Sequence, residues 1–191
     1  MTSYYSREEL QQLGFKQLGK RVQISRKTSI YNAEKISIGN NVRIDDFCIL
    51  SAGNGGIVIG NYVHLAAYCS LQGEGKIELQ DFSGLSSRVA VYSSNDDYTG
   101  VYLTNPTVPK EFSGQTHGDV IFKRHVIVGS GSVILPGVTL NEGVAIGALS
   151  MVNKDCEAFY LYKGNPVKKL LERKRDLLEK EMALLAKIQD E

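Results

Sequence analysis

Residues 120–152 read VIFKRHVIVGSGSVILPGVTLNEGVAIGALSMV. Phe122, Val128, Ile134, Leu140, Ile146 and Val152 stand six apart, and a small or β-branched residue lies two places before most of them: Val126, Ser132, Val138, Val144, Ser150. A helix repeats its apolar face every 3.6 residues, so a six-residue step with apolar side chains two apart is not helical. It suits a short strand and a tight turn. Three such units close a triangular coil. Stacked coils then pair as parallel strands about 4.8 Å apart, with the six-spaced aliphatics pointing inward.

The same step recurs upstream as Ile38-Ile44-Leu50, Ile59-Leu65-Leu71 and Leu79-Leu85-Val91. Together these units predict an all-β body, a parallel β-helix, with Ile24 and Ile30 adding part of an earlier coil. The chain has no Trp and only 8% aromatic residues, so aliphatics must fill the prism. Glycine, 19 of 191 residues, exceeds the usual ~7% and suits a fold rich in tight turns.

The breaks in the step carry as much information as the step itself. Leu50 to Ile59 is nine residues, Leu71 to Leu79 and Ile30 to Ile38 are eight, and Val91 to Phe122 is 31. Every insertion follows the third unit of a coil, so all emerge from one edge of the prism. Insertions confined to one side of a solenoid mark its working face. The long one, an extruded loop over 93–119, holds Asp96-Asp97 and the aromatics Tyr98, Tyr102 and Phe112. Its few charges predict an ordered arm that packs on something.

Beyond Cys156 the pattern changes. Gly164-Asn165-Pro166 breaks the chain, and leucine doublets at 170–171, 177–178 and 184–185 recur at seven. They predict an amphipathic helix of more than 20 residues opening at Pro166, lying on its own prism or bundling with sister subunits. Arg7 to Leu18 is expected to form a short capping helix. The chain thus divides into an N-terminal cap (1–20), the β-helix (21–163) and the C-terminal helix (164–191).

Twenty-two Lys+Arg against 21 Asp+Glu leave a charge of +1 and no concentrated basic face for nucleic acid. No stretch approaches the ~18 apolar residues of a membrane span, and the N-terminus lacks the apolar run of a signal peptide, so a cytoplasmic setting is expected. Cys48, Cys69 and Cys156 form no CxxC pair and read as small buried residues, with no metal expected.

The repeat, the arm, and the run Val152-Asn153-Lys154-Asp155 followed by Gly164-Asn165-Pro166 resemble the hexapeptide-repeat acyltransferase superfamily over about residues 20–172. The likeness is greatest to its sugar acetyltransferases. The resemblance implies a left-handed coil, acetyl-CoA as co-substrate, and a homotrimer with active sites between neighbouring prisms. It also implies a sugar or nucleotide-sugar acceptor in O-antigen, capsule or lipopolysaccharide biosynthesis. By the same likeness Gly129, Ser130, Gly147 and Ala148 lie along the pantetheine arm. Asn153 (where the family has Thr), Lys154 and Lys168 fall toward its nucleotide end.

The sugar O-acetyltransferases carry a histidine in a stretch like V-x-I-Y-T-x-x-H. Here Val89-Ala-Val-Tyr-Ser-Ser-Asn95 leads to Asp96 in that slot. A sugar hydroxyl needs a base that works near neutral pH, and an ordinary Asp titrates near 3.9. Two routes stay open. His64, which directly precedes the inward Leu65 and shares an outer column with Arg43 and Gly84, could be the base for a hydroxyl. Alternatively the acceptor is an amine, and Asp96 orients it or takes its proton. Arg43, Asn95, Asp97 and His117 are the candidate acceptor-binding residues; His125 falls in a turn and is expected at the surface. Two competing readings are a γ-type metal hydratase, which would need converging histidines, and a non-catalytic β-helix scaffold protein.

Overall fold

The computed structural model describes residues 3–189. Its body is a left-handed parallel β-helix of three faces. The first face stacks Gln17–Leu18, Ile36–Ile38, Ile57–Ile59, Ile77–Leu79, Val120–Phe122 and Thr139–Leu140. The second runs from Gln23–Ile24 through His64–Leu65 and Gly84–Leu85 to Ala145–Ile146, and the third from Ser29–Tyr31 to Met151–Val152. The six-spaced aliphatics are register partners: Ile38, Ile59, Leu79, Phe122 and Leu140 form one inward column. They are buried along with Val42, Cys48, Val63, Cys69, Val89, Val126 and Ser132, the residues two places before the next step. Burial of this continuous aliphatic column, at roughly 25 cal/mol per Å² of apolar surface, is the main force holding the coils together.

Each coil turns through residues with positive φ. Asn41, Tyr62, Phe82 and His125 occupy this position between the first and second faces, and Phe47, Tyr68 and Arg88 between the second and third. Their side chains project outward one coil apart, which is stacking distance. Tyr62 lies on Phe82 at 4.9 Å, Phe82 on His125 at 5.2 Å, and Phe47 on Tyr68 at 5.0 Å.

Two ends depart from the sequence reading. The earliest coil is complete, because Leu18 pairs with Ile38 ahead of Ile24 and Ile30. The capping helix, α1 (Arg7–Gln12), is shorter than expected; Ser6 caps it and Leu10 seals the open end of the core. At the other end no helix opens at Pro166. Tyr160–Lys163 adds one more strand to the second face, and Lys168–Glu172 returns antiparallel against it. Leu170 and Leu171 are therefore exposed strand residues, and the second helix, α2, spans only Asp176–Gln189. The seven-residue doublets hid this switch, because Gly164-Asn165-Pro166 makes a hairpin turn rather than a helix start.

Candidate functional site

All insertions leave the edge between the third and first faces. There the chain builds a cleft of about 580 Å³. Its floor is the outward side of the third face, where Ser51, Gln72 and Tyr92 are register partners. Asn32 stands at one end, and the base of the arm, with Asn95, Asp96 and Gln115, forms the far wall.

The arm leaves and re-enters the prism as a two-stranded antiparallel stem, Ser94–Asn95 against Thr116–His117. Ser93 anchors the root: it is buried, and its hydroxyl donates to the Gly75 carbonyl at 2.8 Å. Asp96 follows directly. One carboxylate oxygen accepts from Gln115 Nε2 at 3.0 Å, the other from the Asn105 amide at 3.3 Å. Asp97 turns into the arm instead. Its carboxylate accepts from the Thr99 hydroxyl and amide and from the Tyr102 amide, which together hold its pKa down at about 2. Asp97 shapes the arm rather than the cleft. His117, expected to meet the acceptor, bonds Ser94 through Nδ1 at 2.8 Å and lines a neighbouring polar hollow with Glu74 and Lys110.

His64 and Arg43 lie elsewhere, on the second face. Both bond Asp45, His64 at 2.8 Å and Arg43 at 2.7 Å. Burial alone would raise the Asp45 carboxyl, but these two hydrogen bonds outweigh it and hold its pKa below the usual carboxylate range. His64 is half exposed and shares a shallow hollow of about 250 Å³ with Gly84, Ser86, Ile127 and Ser130. Within one chain, then, His64 joins Ser130 but not Asp96.

The residues expected along the cofactor form the corner between the second and third faces. Gly129 is demanded by the coil itself, since a Cβ there would stand 2.5 Å from the Ala148 amide nitrogen. Ser130 and Ala148 are exposed on that corner, and Asn153, Lys154 and Lys168 are exposed beyond it. His125 is not at the surface: it is 9% exposed, stacked on Phe82 and bonded to α2. The three histidines therefore occupy three separate places, and among the described residues no three His, Cys, Asp or Glu side chains converge as a metal site would require. Gln115 was not anticipated from sequence; only the antiparallel pairing of the two stem segments brings it to Asp96.

No family model matches the chain. The dTDP-4-amino-4,6-dideoxy-D-glucose acyltransferase of Escherichia coli is 51% identical over 179 residues, covering 94% of this chain and 93% of that protein. AntD, an N-acyltransferase from Bacillus cereus crystallised with dTDP and 3-hydroxybutyryl-CoA, is 49% identical with a TM-score of 0.94, over 99% of this chain and all of AntD. A variant of AntD has been crystallised with dTDP-4-amino-4,6-dideoxyglucose and coenzyme A. A maltose O-acetyltransferase from Clostridium difficile shares the fold at 21% identity and a TM-score of 0.59, over 88% of this chain and 74% of that one. By its coil, its single-edge cleft and its identity to the Escherichia coli enzyme, this chain belongs to the hexapeptide-repeat acyltransferases, among the dTDP-4-amino-4,6-dideoxy-D-glucose acyltransferases.

Proposed function

We propose that the protein transfers an acyl group from a coenzyme A thioester to the amine of a dTDP-linked 4-amino-4,6-dideoxy sugar. The observation that carries this reading is the Asp96 carboxylate, which lines the cleft and fills the sequence slot that by resemblance holds a histidine in the sugar O-acetyltransferases. A neutral amine already has a nucleophilic lone pair, so it needs only a group that collects the proton its nitrogen sheds. A carboxylate can do this, whereas a sugar hydroxyl demands a stronger base. The nitrogen forms its bond to the thioester carbon, Asp96 takes the proton, and the oxyanion collapses as the C–S bond breaks. The thiolate leaves and receives that proton from Asp96, which returns to the carboxylate. A backbone N–H of the prism serves the oxyanion. Asn95, beside Asp96, contacts the sugar.

The donor lies along the second–third corner, past Gly129, Ser130, Gly147 and Ala148, with Asn153, Lys154 and Lys168 toward its phosphates. Acetyl-CoA is one such donor; the 3-hydroxybutyryl-CoA held by AntD supports longer ones. His64, tied with Arg43 to Asp45, shares its hollow with Ser130 of this donor corner.

A homotrimer completes the reading. Asp96 and Ser130 belong to different edges of one prism. The arm exposes Tyr98 at 90% and Val101 at 75%, an apolar tip suited to a neighbour's surface. Three copies around an axis would lay each arm against the next copy's donor corner. The cytoplasmic setting and the link to surface-polysaccharide synthesis belong to the same proposal, resting on the nucleotide-sugar and acyl-CoA substrates. Among the described residues no helix is long and apolar enough to cross a membrane.

The test incubates the protein with acetyl-CoA or 3-hydroxybutyryl-CoA and a panel of dTDP-amino sugars and neutral sugars, following thiol release, with sedimentation to count subunits. Thiol release with dTDP-amino sugars alone supports the reading. Release with neutral sugars alone, or a monomer with full activity, defeats it.

A further inference from the structure

The stem of the arm has a register that reaches one pair beyond its two assigned rungs. Ser94 faces His117 and Asn95 faces Thr116. Continuing the antiparallel alternation sets Asp96 opposite Gln115, and the Gln115 Nε2 to Asp96 Oδ1 bond at 3.0 Å confirms the pairing. Side chains on one face of such a ladder are two residues apart. The Ser94–His117 and Asp96–Gln115 pairs therefore share a face.

The first rung is pinned to the prism. The Ser94 hydroxyl oxygen accepts from the Glu74 amide at 2.7 Å, so its single proton is free to go to His117 Nδ1, 2.8 Å away. A one-residue slip of the stem would turn Asp96 to the opposite face. The Ser94–His117 bond opposes that slip. The Asp96–Gln115 pair touches the carboxylate itself. Only the amide nitrogen of Gln115 can donate to a carboxylate, which fixes the orientation of the Gln115 head group. Gln115 also lines both the cleft and the polar hollow behind it, and so stands as the wall between them.

We propose that Gln115 is a positioning residue of the acyl-transfer reaction, holding the Asp96 carboxylate in the cleft through the Asp96–Gln115 pair, with the Ser94–His117 bond setting its register. The inference rests on the reading of Asp96 given above. It concerns a residue that touches the base, not the reacting atoms.

Two substitutions of nearly equal size separate this from a structural role. Gln115→Met removes the donor but keeps the bulk. It should lower kcat about 10-fold or more, the scale of a lost hydrogen bond to a charged group, and leave KM for acyl-CoA within twofold. Gln115→Glu sets a second carboxylate against Asp96, and two carboxylates sharing a site hold a proton between them. That variant should lose activity most at low pH and recover as pH rises, shifting the acid limb of its rate profile upward. Both should unfold at the wild-type temperature, since Gln115 is exposed. Wild-type activity with both variants within twofold in kcat, or a Gln115→Glu profile that superimposes on wild type, overturns the role of Gln115 alone. A wild type inert toward every amine tested overturns the acyl-transfer reading and this inference with it.

Discussion

Glu181 of α2 reaches the prism and accepts a hydrogen bond from His125 Nε2 at 2.6 Å. Both side chains are buried, and Arg124, which also bonds Asp81 at 3.2 Å, pairs with the same carboxylate. Burial, with the Arg124 charge beside it, pushes the His125 pKa below the usual histidine range. Glu181 is the buried contact of α2 at the corner between the first and second faces, beside the Tyr62–Phe82–His125 stack, where Leu185 and Ile188 also face Tyr62 and Phe82.

Replacing Glu181 by Ala strips a buried acceptor from His125 and a counter-charge from Arg124. The cost should be about 2 kcal/mol, less than for a fully buried pair because Arg124 is 37% exposed. Proteolysis in residues 173–189 should quicken at a temperature where the prism remains folded, and circular dichroism should show early loss of helix. Identical cleavage rates for wild type and variant would mean that α2 is held by something else.

Kinetics of Asp96→Asn and His64→Asn distinguish the two candidate bases. Asn keeps the size of Asp96 and its bond to Gln115 but cannot take a proton, so kcat should fall at least ~100-fold. His64→Asn should cost less than tenfold, since His64 stands half exposed on the second face and bonded to Asp45. The reverse ranking would move the chemistry from the arm to the donor corner.

The prism was legible because one physical rule repeats: every sixth side chain must be buried and apolar, and a strand of two or three residues leaves no room for exceptions. From Ile38 to Val152 the predicted columns are the observed register partners. The edge that carries the cleft followed from where the step broke. Asp96 was singled out by its slot, but Gln115 was not, because its position depends on a pairing across an arm of some twenty residues that no local pattern encodes. His125 was misjudged for a similar reason. Its turn position is a surface position in the prism alone, and only α2, 56 residues later, covers it. The Tyr160–Lys163 and Lys168–Glu172 strands were hidden by leucines whose spacing also suits a helix.

Glycines divide into those the coil requires and those it does not. A Cβ at Gly129 would meet the backbone of the next coil at 2.5 to 2.8 Å, so Gly129→Ala must push two coils apart. It should cost a few kcal/mol, as overpacking a dense core does. Gly84 opens a short strand, with nothing nearer to a new Cβ than the His64 carbonyl at 3.8 Å. Gly84→Ala should therefore leave the melting temperature unchanged or raise it, by up to ~1 kcal/mol of stability. If Gly84→Ala lowers the melting temperature as much as Gly129→Ala, the stacking argument is wrong.

The order of the arm should depend on pH in a narrow window. Asp97 holds the Thr99 and Tyr102 amides, and those bonds depress its pKa to about 2. A carboxylate whose folded pKa lies below its unfolded value of ~3.9 contributes in full above that value and is lost as pH falls through the folded one. The Thr99 and Tyr102 amides should thus stay protected from hydrogen exchange down to about pH 4 and open progressively toward pH 2. In Asp97→Asn, which keeps acceptor oxygen but has no charge to lose, protection should be weaker at neutral pH and flat across the same range. Exchange at these two amides can be read by NMR apart from other carboxylates that titrate nearby, such as Asp45 on the second face. Wild-type protection that is flat from pH 5 to pH 2 would remove Asp97 as the strut of the arm and leave its order to the Ser94–His117 rung and the Asp96 bonds to Gln115 and Asn105.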